Sequence, residues 1–384
     1  MMFPHDSLLS ARPSRMAFPG VFSGAFSGSS LGRALALLVL GAMLFVSPLE
    51  AVNLKIASLA PDGSIWDQAV EDMGVEWSEA TDGRVRLRLY PGGVAGDEPD
   101  VLRKMRIGQL HGAVLTANGL TEIDSAFGVF SVPFFFDSYE ELYHVLEALE
   151  PDLEKRLDAA GYQLVSWGHV GWIHLFSTEA ITEVPALKRS KLFAPAGDSD
   201  NVQWWKSNGY NPVPLATTDV LSGLQTGMVD ALPSPPLAAL MLQWYRQAPH
   251  MLDLGFAPLI GATVVQKRMW RRLSAQDREA LRNAGREMEE DLEERVPEQD
   301  RKAIEEMKKR GLTVHPVVGT ELETQWVEAA RNLARSVSED RLPGGVMEQA
   351  RKARDDFRKA RREAQRETQQ GEGSEGGAPG GAER

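Results

Sequence analysis

The chain has 384 residues, 43% hydrophobic and 25% charged, the balance of an ordinary globular protein with enough length for two cored domains. Its formal net charge of −12 argues against nucleic-acid binding, which needs a basic face. With no cysteine, disulfides, thiolate metal sites, cysteine nucleophiles and a lipidated N-terminal cysteine are excluded as well.

In chain order, Arg12, Arg15 and Arg33 precede the apolar run ALALLVLGAMLFV (34–46), followed by SPLEA. The run is too short for a membrane span, which takes about 20 residues, and suits a signal peptide. Residues 1–51 therefore read as an export signal cleaved near Ala51, with an uncleaved anchor as the alternative and Met16 as an alternative start. NLKIASLA (53–60) reads as a buried strand and Pro61-Asp62-Gly63 as a turn. The next helix has Ser64 and Asp67 in capping-box spacing, and Trp66, Val70, Met73 and Trp77 on one face. RVRLRLYP (84–91) alternates as a half-buried strand, with Val85, Leu87 and Leu89 inward and Arg84, Arg86 and Arg88 outward. The loop PGGVAGDEPD has glycines but no lysine after them, so it is no phosphate-binding Walker loop.

A helix, VLRKMRIGQL, and a strand, HGAVLTAN, continue an α/β rhythm that predicts a mostly parallel sheet. FGVFSVPFFFD (127–137) is rich in aromatics, and Phe134, Phe135 and Phe136 read as part core, part cleft wall. After a helix over 138–161, YQLVSWGHVGW (162–172) reads as the strand that crosses into a second α/β segment over 173–257. GATVVQKRMW (261–270) reads as the returning strand, 273–311 as a long helix kinked at Pro297, LTVHPV as a strand and 320–337 as a helix. Residues 347–370 form a charged helix, and the Gly-rich stretch 371–384 is expected to be disordered. The implied domains are 52–168 with part of 259–340, and 169–258 with the remainder, followed by the tail 341–384.

Several stretches in order resemble one family: LKIASLAPDGSIWDQAVEDM, YPGGVAGDE with VLRKMRIGQLHGA, VPFFFDSYEELY, LATTDVLSGLQTGMVDALPSPP and VVQKRMWRRLSAQDREALRNAG. Together, over about residues 53–315, they resemble the DctP-type solute receptors of tripartite ATP-independent periplasmic (TRAP) transporters. The resemblance implies a type II-like binding protein: two α/β domains, crossing strands, a long connecting helix and a ligand cleft between the domains. It also implies a job, delivery of the ligand to a permease of small and large membrane subunits driven by an ion gradient. No catalytic constellation and no cofactor motif is seen beside it.

Family ligands are mostly carboxylates, gripped by an arginine in a K-[IL]-R segment. KLFAPAG (191–197) resembles that segment with Phe193 in the arginine slot. Ile173 of GWIHLFST stands in a second basic slot, and Ser234 and Pro235 of VDALPSPP in a polar pair. A carboxylate shut in such a cleft without a partner would suffer about 3–5 kcal/mol, whereas apolar walls favour an apolar body by about 0.8 kcal/mol per methylene. Arg84, Arg86 and Arg88 point the wrong way to compensate. The expected ligand is therefore hydrophobic or amphipathic, such as a lipid or fatty acid. That is similar to the TRAP subgroup associated with a periplasmic helical-repeat protein. Two alternatives stay open: a carboxylate receptor with a different cation, and an interaction protein that has lost transport.

The candidate contacts are Phe193, Ile173, His174, Trp66, Ser64, Phe135, Trp204, Ser234 and Pro235. Phe193, Ile173 and Trp66 read equally as core, and Ser64 as a helix cap. Adjacent Trp204 and Trp205 point apart on a helix, so only one is expected at the ligand. His169 and His174 fall on opposite faces of a strand, which argues against a shared metal.

Overall fold

A computed structural model describes residues 51–197, 199–336 and 341–375, with side chains to residue 366. The signal-peptide reading of 1–50 and the tail from 376 onward lie outside the described residues.

Among the described residues, nine strands form one mixed sheet. Strand β1 (Val52–Ser58) pairs in parallel with β2 (Val85–Tyr90) and β3 (Gly112–Thr116). At the other end, β5 (Lys191–Pro195) pairs in parallel with β6 (Asn211–Leu215) and β7 (Ala231–Ser234). Two long strands, β4 (Tyr162–Ser177) and β8 (His250–Gln266), join these lobes. They run antiparallel to each other, β8 antiparallel to β3 and β4 antiparallel to β7. The sheet is thus parallel within each lobe and antiparallel at the crossings, rather than mostly parallel throughout. A short strand, β9 (Thr313–Pro316), pairs in parallel with β8.

Helix α1 (Ile65–Ala80) starts where the spacing predicts. Ser64 Oγ accepts from Asp67 N at 3.2 Å, while Asp67 Oδ2 accepts from Gly63 N at 2.8 Å. Its Trp66, Val70, Met73 and Trp77 are all buried, against the long helix α10 described below. Helices α2 (Glu98–Arg106), α3 (Ala117–Thr121) and α4 (Tyr139–Ala160) complete the first lobe. The second carries α5 (Val184–Arg189), α6 (Ser199–Ser207), α7 (Val220–Gln225) and α8 (Pro236–Met241).

After α9 (Lys267–Trp270), helix α10 (Ala275–Lys309) runs 35 residues, about 50 Å at helical rise. Leu281, Met288, Leu292, Val296, Ala303 and Met307 recur on its buried side, so one helix packs on both lobes. It continues unbroken through Pro297, whose missing N–H leaves the Glu293 carbonyl without its helical donor. Helix α11 (Glu321–Arg335) follows, and α12 (Val346–Glu375) returns to the first lobe and packs on α4. The charged helix thus extends to residue 375, past the expected start of disorder at 371.

Candidate functional site

A cavity of about 210 Å³ lies between the lobes. It opens beyond the carboxyl ends of β3 and β5, the place where open α/β sheets bind ligands. β3 runs straight into α3, which contributes Asn118 and Thr121; β5 contributes Leu192 to Pro195, and α6 contributes Asn201, Trp204 and Trp205. The crossing strands form the back wall with Ile173, Leu175, Phe256, Ala257 and Leu259. Ile173 and Ala257 are direct cross-strand partners there. Val132 and Pro133 border the cavity from the aromatic stretch. Phe134 follows them at φ 54°, an uncommon conformation for a bulky residue, held by its N–H donating to Phe256 O at 2.7 Å.

The lobes meet at the rim of this cavity. Asp97 Oδ2 accepts from Thr217 N at 2.9 Å across the gap. Gly197, at φ 104°, abuts the Glu122 carboxyl and Pro99, so a side chain there would be strained and would displace that carboxyl. At the back, Asp300 of α10 accepts from Trp172 N on β4 at 3.3 Å and from Leu237 N on α8 at 3.0 Å. One carboxyl group thereby ties the connecting helix to a crossing strand and to the second lobe. Gly171, beside it at φ 130°, leaves the space that this carboxyl occupies.

Four of the nine candidate contacts do not reach the cavity because their side chains serve the core or a cap. Ser64 caps α1. Trp66 is buried against α10 and donates from Nε1 to His169 O at 3.0 Å. Phe135 packs edge-on to Phe136 beneath the guanidinium of Arg354. Ser234 is only 1% exposed and donates to Pro235 O at 2.9 Å. Pro235 and His174 are also absent from the lining: Pro235 packs on Gly171, and His174 Nδ1 lies 3.3 Å from Leu252 O. Burial pushes the His174 imidazole below its ordinary value, which keeps it neutral. The residue of that turn that does line the cavity is Pro233. Side chains on a strand alternate, so the assignment to Ser234 missed the face by one position.

Phe193, Ile173 and Trp204 do line the cavity. Phe193 is 7% exposed. It belongs to the second lobe's core with Phe176, Val220 and Leu232, and it also borders the cavity. Trp205 lines the cavity beside Trp204, against the expectation that only one would. The two indoles stack edge to face at 5.0 Å, and rings of that size reach one cavity from adjacent helical positions.

The cations that the sequence places nearby are committed elsewhere. Lys191, which opens β5, pairs with Asp230 at 3.2 Å. Arg84 forks onto Asp277 Oδ1 at 3.1 and 2.8 Å. Among the described residues lining the cavity, the one charged side chain is Arg341, from the segment before α12. Arg341 falls in the stretch 341–384 that reads from sequence as a tail, and no local signal marks it. Among the described residues no cluster of acidic or histidine side chains could hold a metal ion.

Two buried carboxyls near the site are raised. Burial pushes Glu98 up to about 8, against the bonds it accepts from Thr116 N at 2.5 Å and Thr116 Oγ1 at 2.9 Å. Burial pushes Asp300 up to about 7. In the unfolded chain both ionise in the ordinary carboxylate range, near 4. Between that range and their folded values the native state holds more protons, so stability is full below about pH 4 and declines as pH rises toward 8. Glu98→Gln reproduces the protonated group, donating to Thr116 Oγ1 and accepting from Thr116 N. Thermal melts from pH 4 to 9 should show the variant gaining on the wild type as pH rises. A constant offset would show that Glu98 is ionised throughout.

Two α/β lobes, two crossing strands, a long helix along both and a cavity between them define a two-domain solute-binding protein. Residues 56–340 match the family model DctP, "bacterial extracellular solute-binding protein, family 7". The chain belongs to that family, whose members are receptors and not enzymes. Among curated relatives, a solute-binding protein of Chromohalobacter salexigens is 27% identical over 56% of this chain and 65% of its own length. The 2,3-diketo-L-gulonate-binding periplasmic protein YiaO of Escherichia coli is 23% identical over 62% of this chain and 72% of its own. In fold, the sugar acid binding protein DctPAm of Advenella mimigardefordensis, solved with galactonate, superposes with a TM-score of 0.74. It covers 80% of this chain and 99% of its own at 17% identity.

Proposed function

We propose that this receptor captures a compact carboxylate whose carbon body is apolar, and hands it to a TRAP permease of small and large membrane subunits. The observation that carries this reading is the cavity wall: Phe193 and Ile173 stand where the family resemblance places cations, beside Leu175, Leu192 and Phe256. Such a wall rewards each buried methylene by about 0.8 kcal/mol. A sugar-acid hydroxyl facing it without a partner would cost about 1–3 kcal/mol. The acids bound by DctPAm and YiaO support a carboxylate as the polar end. A volume of about 210 Å³ is small beside typical pockets of roughly 300–1,000 Å³. That favours a ring or a short branched chain over the long fatty acid suggested by sequence.

The apolar run 34–46 supports export by an N-terminal signal and a periplasmic location. Lobes of 52–168 and 169–258, each with part of 259–340, form part of the same reading. The helical-repeat partner of the apolar-ligand subgroup rests on sequence resemblance alone. Extraction of the purified protein with organic solvent, followed by mass spectrometry, should release a carboxylic acid with few hydroxyl groups. Recovery of a polyhydroxylated sugar acid, or tight binding of a small dicarboxylate by calorimetry, would defeat the proposal.

A further inference from the structure

We propose that Asp97 is a two-position latch on the closure of the lobes. Its carboxyl group bridges to the second lobe when the lobes meet and turns back to cap its own helix, α2, when they part. Asp97 stands at the N-cap of α2 with the extended backbone of a cap, φ −73° and ψ 170°. Its side chain nevertheless makes no capping bond. Pro99 has no N–H, so Asp100 N is the donor that a cap would take. Instead Asp97 Oδ2 accepts from Thr217 N at 2.9 Å, where Thr217 opens the turn Thr217–Asp219 of the second lobe. Asp97 is 7% exposed, and its Oδ1 is buried with no partner. The interlobe bond therefore leaves the cap unmade and one oxygen unpaired, a penalty that parting of the lobes relieves.

The segments that meet are the Gly-rich loop 91–97 and the stretch 216–219, and none of their residues lines the cavity. The loop is fixed to the first lobe, with Gly92 N donating to Ala60 O at 2.8 Å and Gly93 N to Ser58 O at 3.0 Å. Gly93 lets the two backbones approach, since a Cβ there would stand 2.7 Å from Thr218 Cγ2. That approach brings Asp97 within reach of Thr217. Asp97 is thus a positioning residue for capture and not a ligand contact. It acts alike on any solute, raising the share of closed receptor and slowing escape from the cavity. Exchange of one bond for another on the same carboxyl keeps closure reversible, as a receptor that must release its ligand requires.

The chain has no cysteine, so Ile107→Cys and Met228→Cys, both exposed and one on each lobe, take a single pair of nitroxide labels. Pulsed electron paramagnetic resonance on the purified protein then reads the distribution of distances between the lobes. It is recorded with Asp97 and with Asp97→Ser, Asp97→Asn and Asp97→Ala in the same background. Serine caps helices but is too short to reach Thr217, asparagine can do both, and alanine neither. The shorter-distance population should fall about fivefold against the longer one in Asp97→Ser and Asp97→Ala, and be kept in Asp97→Asn. Thermal melts should place Asp97→Ala about 1–2 °C below Asp97→Ser, which retains the cap. Distance distributions that are the same with aspartate and with serine, or a wild type with no shorter population, would overturn the latch. Equal melting of Asp97→Ser and Asp97→Ala would overturn its capping position.

Discussion

Replacing Phe193 by arginine is expected to abolish binding of apolar-bodied carboxylates and to destabilise the fold by about 3–5 kcal/mol. Both effects have one origin. The side chain is 7% exposed, flanked by Val213 on β6 and by the cluster of Phe176, Val220 and Leu232. A guanidinium there has no described acidic partner within the lining, since the cavity offers Asn118, Thr121, Ser131 and Asn201 as its uncharged polar groups. It would either stay buried and unpaired or push into the cavity and fill it. Adding a small dicarboxylate should restore part of the lost stability by supplying the missing partner. Urea denaturation with and without such an anion, and calorimetry with the extracted ligand, measure the two effects. If ligand binding survives the substitution unaltered, Phe193 is core only and the apolar-wall reading loses its support.

The second large effect is expected far from the cavity. Arg358 of α12 forks onto Glu141 of α4, Nε to Oε2 and Nη2 to Oε1, both at 2.7 Å, and also pairs with Asp137 at 2.8 Å. The Glu141 side chain is 3% exposed. Arg358→Met would leave that carboxylate buried without its counter-ion, at about 3–5 kcal/mol. The double variant Glu141→Gln/Arg358→Met should recover much of the loss, because removing both charges removes the uncompensated one. Denaturant unfolding of the single and double variants checks this; equal losses in both would locate the effect in packing around Phe135 and Phe357 instead.

Much of the architecture follows from local pattern. The alternation of RVRLRLYP places β2, the Ser64–Asp67 spacing places the start of α1, and the Trp66, Val70, Met73 and Trp77 spacing names its buried face. These succeed because strand and helix periods are properties of neighbouring residues. Phe193 was legible for a different reason: it stands inside a segment whose surroundings resemble a known clamp, so its departure from arginine is visible. Ser234 failed because a shift of one position on β7 exchanges the cavity face for the core, leaving Pro233 at the site, and Pro235 failed because it lies past the end of β7 and packs on Gly171.

The sequence by itself determined the class of protein and the order of its elements. Only the tertiary structure decided that Arg341 lines the cavity. Arg341 reaches the cavity because α12 folds back on α4, Arg358 pairs with Glu141, and Trp204 offers its ring from the other lobe. Those partners lie 217 and 137 positions apart along the chain, and no periodicity links residues so distant. Their meeting is set by which surfaces the whole fold leaves to be buried against each other.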